Sequence, residues 1–82
     1  MKPIVYLPGA EKTLRRLPRN VAMRIIRKVE AYATDPASLA NNVKTLKGRD
    51  GIRLRVGDWR VIMRDGVVLE VLAVGPRGSI YE

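Results

Sequence analysis

The sequence predicts an α+β fold: an N-terminal helical hairpin packed on one face of a small antiparallel β-sheet. Three observations carry this expectation. Val21, Ala22, Ile25, Ile26, Val29, Tyr32 and Ala33 recur at the period of a helix with one apolar face. Ile52, Leu54 and Val56 alternate strictly with Arg53 and Arg55, the two-residue period of a half-buried strand. Gly57-Asp58 and Asp65-Gly66 each separate two apolar runs, where such pairs close β-hairpins.

In chain order, Pro3 to Leu7 reads as a short strand, with Pro3 tolerable at a strand start or sheet edge. Pro8-Gly9 ends it. Ala10, Leu14 and Leu17 then recur at helical spacing, which predicts a short helix up to the break at Pro18. A second helix spans about Arg19 to Thr34 and stops at Asp35-Pro36, because the residue before a proline is steered away from helical angles. Ala37 to Lys47 alternates poorly and reads as a connecting loop with a helical turn near Leu39. Gly48-Arg49-Asp50-Gly51 is a turn cluster leading into the alternating strand.

With Gly57 at the first central position of a type II′ turn, the hairpin register follows. Val56 faces Trp59, Leu54 faces Val61 and Ile52 faces Met63, so Trp59 packs on the apolar side beneath the helices. On the opposite side Arg55 lies across from Arg60, with Arg53 and Arg64 at the two ends of that surface. Like charges directly opposite each other destabilise a sheet, so this arrangement points to an anion between them. A two-residue loop at Asp65-Gly66 would pair Arg60 with Val71 and Arg64 with Val67. The run Val67 to Val74, apolar apart from Glu70, then suits a strand inside the sheet. On that register the cationic face continues over Val67, Val71 and Ala73, and reaches Arg77 if extended geometry persists through Gly75-Pro76.

The composition narrows the function. At 82 residues the chain is expected to form one domain, 1–82, whose core without Phe rests on Ile, Leu and Val. It has no Cys and no His, which removes disulfides, thiolate metal sites, the commonest metal ligand and the commonest general base. No metal and no cofactor are therefore expected. The net charge of +8 is arginine-rich and partly patterned onto one strand face, which favours phosphate or a carboxylate-rich partner. No run is long enough to span a membrane and the N-terminus lacks the apolar core of a signal peptide, so a cytoplasmic location is expected.

The order strand, helical hairpin, loop, Leu46-Lys47-Gly48, the run Arg53 to Gly66, an apolar strand and the run Val74 to Tyr81 resembles the RelE/ParE superfamily of type II toxins. The likeness covers essentially the whole chain. Its most specific parts are Arg55-Val56-Gly57-Asp58-Trp59-Arg60 and Val74-Gly75-Pro76-Arg77-Gly78-Ser79-Ile80-Tyr81. The resemblance implies one of two activities. RelE-like members are ribosome-dependent endoribonucleases that cut messenger RNA, whereas ParE-like members poison DNA gyrase. Both are held inactive by an antitoxin protein that wraps the toxin. Carried over from the ribonuclease branch, the site residues are Arg53, Arg55, Arg60, Arg77 and Tyr81. The sequence departs from that pattern at Pro76, where many relatives have histidine, at Gly51, where some have lysine, and in lacking a C-terminal helix.

Metal-free RNA cleavage uses the ribose 2′-hydroxyl as nucleophile, so the enzyme must take its proton, stabilise charge at phosphorus and assist the leaving 5′-oxygen. Arginine suits the second task, because its planar fork donates paired hydrogen bonds to phosphate and stays charged. Arg60 and Arg77 are assigned to it as catalytic residues, and Arg53 and Arg55 to holding backbone and substrate phosphates. Tyr81 is the remaining catalytic candidate, as a base or as a platform for stacking a nucleobase, with Glu82 and Asp58 as other possible bases. The plainer alternatives are solvent-facing strand residues at Arg53 and Arg55, and surface ion pairs of Arg60 and Arg64 with Asp58, Asp65 or Glu70. Arg24, Arg27 and Lys28 read as a solvated helix face. A ParE-like gyrase inhibitor and an inactive relative acting as a binding module stand beside the ribonuclease.

Overall fold

The computed structural model describes residues 1–78. β1 (Ile4–Tyr6) runs into α1 (Pro8–Arg16), which begins earlier than the expected Ala10. Proline is well placed there, since the first helical N–H has no intrahelical acceptor to lose. Leu17 ends α1 in an extended conformation, and Pro18 turns the chain directly into α2 (Arg19–Thr34). Asp35 closes α2 ahead of Pro36, which opens a 3-10 helix (Pro36–Asn42) around the buried Leu39, at the helical turn expected there.

The predicted loop contains a strand. β2 (Val43–Thr45) pairs antiparallel with β3 (Ile52–Val56), setting Val43 against Leu54, Lys44 against Arg53 and Thr45 against Ile52. Three residues are too few to show a two-residue period, so only the partner strand defines β2. The turn between them is closed by the Leu46 N–H donating to the Gly51 carbonyl at 3.1 Å. β4 (Trp59–Asp65) and β5 (Leu69–Pro76) complete a sheet of order β1-β5-β4-β3-β2. β2 to β5 are antiparallel as expected, whereas β1 lies parallel to β5, which makes the sheet mixed. The helical hairpin crosses over the sheet after β1, and the meander that follows brings β5 back alongside β1 in the same direction.

The β3–β4 register matches the expected one at every pair: Ile52–Met63, Leu54–Val61, Arg55–Arg60 and Val56–Trp59. Gly57 takes φ +59°, the positive value that a two-residue hairpin turn of this kind demands at its first central residue. The β4–β5 register differs from expectation. Asp65 pairs with Leu69, so Gly66, Val67 and Val68 form a three-residue loop, and Val67 lies at its exposed tip rather than in the strand. Further along, β5 carries one extra residue, Leu72, opposite the step between Ile62 and Met63. Each irregularity exchanges the two faces of the strand, and together they cancel. Between them Val71 is turned into the core, correcting its expected place on the cationic face. Beyond the bulge, Arg60 faces Gly75 and Ile62 faces Ala73, so Ala73 keeps the expected face.

The core lies between the helices and one face of the sheet. Ala10 and Leu14 of α1 and Ile25, Val29, Tyr32 and Ala33 of α2 pack with Leu54, Val56, Val61, Met63, Leu69, Val71 and Val74, and Trp59 packs against this cluster as expected. Asp65 ties the ends of the fold together. Its carboxylate accepts from the Lys2 ammonium and from the Tyr32 hydroxyl, the latter at 3.0 Å, while Lys2 also donates to the Gly66 carbonyl at 2.7 Å. The bond from Lys2 is the main reason that the Asp65 carboxyl sits below its ordinary value. Burial, the bond to Asp65 and its charge push Tyr32 up to about 12.

Candidate functional site

The face of the sheet away from the helices carries the arginines. Two cross-strand rows follow from the pairing. One runs Lys44, Arg53, Ile62, Ala73, and the other places Arg55 beside Arg60 and Gly75. Continuing the β2–β3 register by one residue sets Asn42 level with Arg55. Ile62 is fully buried yet stands apart from the helix-side core, so the open face has an apolar floor between Arg53 and Ala73. A shallow cleft on this face is lined by Asn41, Asn42, Lys44, Arg53, Arg55 and Arg60.

The structure thus brings three of the sequence-predicted residues, Arg53, Arg55 and Arg60, to one cleft. Arg77 lies at its margin. The Arg77 N–H donates to the Asp58 carbonyl at 2.7 Å, so its backbone continues the β4–β5 register alongside the Gly57-Asp58 turn, and its side chain is exposed. Because Asp58–Arg77 is a hydrogen-bonded pair, the neighbouring Trp59–Pro76 pair is not, and the N–H that proline lacks is one that would point away from β4. Pro76 therefore leaves Arg77 in register. Tyr81 lies outside the described residues. Arg64 is excluded from the cleft: its Nε donates to Glu70 Oε1 at 2.7 Å, the surface ion pair that sequence reading held open.

Asn41, Asn42 and Lys44 were missed by sequence reasoning. The signal was weak but present, since Lys44 between Val43 and Thr45 is the polar member of an alternation one residue too short to recognise. Lys44 also bears on the departure at Gly51. That glycine has φ +132°, and a Cβ there would stand 2.9 Å from the Met63 carbonyl oxygen, so no lysine fits. In this chain Lys44 supplies the ammonium group of the cleft.

What the face can do chemically follows from its donors. Arg55 and Lys44 form no ion pair or side-chain hydrogen bond with any described residue. Guanidinium and ammonium groups on a half-open surface bind phosphate oxygens by charge-assisted hydrogen bonds. Among the described residues no cluster of acidic side chains could hold a metal ion. A second hollow, apolar and on the helix side, is lined by Tyr6, Glu11, Leu14, Arg15, Ala22 and Ile26. The buried Tyr6 hydroxyl finds no hydrogen-bond partner among the described residues, and burial, then the charge of Glu30, raises its pKa.

Residues 4–81 match the sequence profile described as the ParE toxin of the type II toxin-antitoxin system parDE. The chain belongs to this toxin family, within the RelE/ParE superfamily. Solved structures agree with the assignment. The RelE-RelB complex of Pyrococcus horikoshii OT3 is 26% identical with a TM-score of 0.79, over 95% of this chain and 97% of that one. The RelBE2 complex of Mycobacterium tuberculosis (17% identity, TM-score 0.77, 93% and 98% covered) and the intact RelBE complex of E. coli (23%, 0.72, 93% and 96%) share the fold. No curated protein matches at the level of sequence. This toxin therefore keeps the superfamily fold.

Proposed function

We propose that this toxin is a metal-independent endoribonuclease that cuts messenger RNA on the ribosome in the cytoplasm. The observation that supports it is the row of like charges on the open face. Arg55 stands directly across from Arg60 with Lys44 and Arg53 beside them, a concentration of positive charge that favours binding an anion. Arg60 stabilises the charge that develops at the scissile phosphate, and Arg53 and Arg55 hold the flanking backbone. Arg77, at the cleft margin, approaches the same phosphate from the turn side, and Tyr81 is the assigned proton-transfer or stacking residue. The ribosome supplies alignment of the 2′-hydroxyl, which by itself lowers the barrier greatly.

The partner is an antitoxin, as in the RelE-RelB complexes to which the fold is similar. It neutralises the toxin by laying carboxylates over the arginine cleft and apolar residues against the helix side, or by displacing the C-terminal segment. A second reading, inhibition of DNA gyrase, is favoured by the ParE profile and by the absence of histidine at position 76. One experiment separates the two. The protein is added to a purified translation system and messenger RNA ends are mapped by primer extension. Cuts inside ribosome-bound codons that vanish in folded Arg60→Ala and Arg77→Ala proteins support the ribonuclease. Intact messages together with gyrase-dependent DNA breaks establish the inhibitor instead.

A further inference from the structure

We propose that Asn41 and Asn42 read a nucleobase in the substrate: Arg53, Arg55 and Arg60 take a phosphate, and the two amides bond the base edge of the adjoining ribonucleotide, with adenine preferred. This rests on the ribonuclease reading of the cleft.

The lining holds two chemically different sets of residues. Arg53, Arg55, Arg60 and Lys44 are cations, and Lys44 lies in the row of Arg53. Contacts of this kind neutralise phosphate whatever the sequence. Asn41 and Asn42 carry no charge and add little to anion binding, yet they line the same cleft, at the β2 edge next to Lys44. Each offers a donor and an acceptor side by side, the pattern that matches N6–H and N7 of adenine. Neither amide side chain is hydrogen-bonded to a described residue, so both are open to a ligand.

The segment that carries the amides is also held in place. Pro36 sets the start of the 3-10 helix, Leu39 anchors it in the core, and the Val43 N–H closes it on the Ala40 carbonyl before β2 begins pairing with β3. A cleft that sets fixed neutral amides among phosphate donors suits a single-stranded chain, whose splayed bases expose their edges.

The test is the base profile around the cuts, mapped in the purified translation system on a message containing all codons. The wild-type protein is expected to enrich adenine about fivefold at one position next to the cut, the lower range of discrimination by a bidentate amide. Asn41→Ala/Asn42→Ala, exposed and half-buried positions respectively, with folding checked by the melting temperature, is expected to flatten that enrichment while cutting continues. Lys44→Ala is expected to reduce cutting evenly at all sites and leave the profile intact. Cuts without adenine enrichment, or the same profile in the double variant, overturn the inference and leave the ribonuclease standing. No cuts by the wild-type protein overturn both.

Discussion

The two faces of the β3–β4 hairpin are built from alternate residues of the same two strands, yet they obey opposite rules. Toward the helices, Leu54 faces Val61 and both are fully buried; each is also in the main core cluster. Away from them, Arg55 faces Arg60, and the neighbouring row adds Arg53 and Lys44. The first face lowers the free energy of the fold by removing apolar area from water. The second raises it by holding like charges at cross-strand distance. Alternation lets one strand serve both purposes, because residues on opposite faces scarcely interact. Stability and function should therefore respond separately to substitution.

The largest expected effect tests the buried face. Leu54→Ala should cost about 2–5 kcal/mol of folding stability, read from denaturant midpoints, since it opens a cavity beneath the helices. A loss well below that range would mean that the helix layer relaxes into the space. Next, Arg60→Ala should lower messenger cleavage by about 10²–10³-fold, as removal of one preorganised donor does elsewhere. Its unfolding midpoint should move by no more than about 0.5 kcal/mol in stability terms. If Arg60→Ala instead unfolds the protein, the two faces are not independent.

Arg55→Glu sharpens the comparison further, by placing a carboxylate across from Arg60. It should stabilise the fold by roughly 0.2–1 kcal/mol while weakening cleavage, the signature of a repulsion kept for function. Titration probes the tie that Asp65 makes between the ends of the fold. The Asp65 carboxyl is lowered from 3.8 in the fold, so its contribution is present above that value and is lost as pH falls through the lower folded one. Tyr32 is raised to about 12, so its contribution is present below its ordinary value of 10 and is lost as pH rises through about 12. Asp65→Asn should flatten the acid limb of a stability–pH curve. Arg64→Ala should do least, leaving cleavage unchanged and the melt within scatter, because Arg64 is an exposed partner of Glu70 outside the cleft.

Much of this was legible in the sequence because it rests on local rules. Periodicity located α2 and β3, Pro18 and Pro36 marked the helix limits, and Gly57-Asp58 set the register that opposes Arg55 to Arg60. Those rules fail where spacing is not local. β2 is visible only through its partner, the Gly66 to Val68 loop is one residue longer than its Asp-Gly signal, and the bulge at Leu72 leaves no mark of its own. The parallel pairing of β1 with β5 joins strands more than sixty residues apart, which no short-range pattern can specify.

For the site, the sequence by itself determined which residues carry charge and which face of β3 and β4 they take, because side-chain direction alternates with the backbone. Tertiary structure alone decided their company. It brought Asn41, Asn42 and Lys44 to Arg53, Arg55 and Arg60, paired Arg64 away with Glu70, and turned Val71 into the core. The physical reason is that a cleft across several strands is defined by how those strands align with one another. That alignment depends on loop lengths and a bulge, where a single residue exchanges one face of a strand for the other.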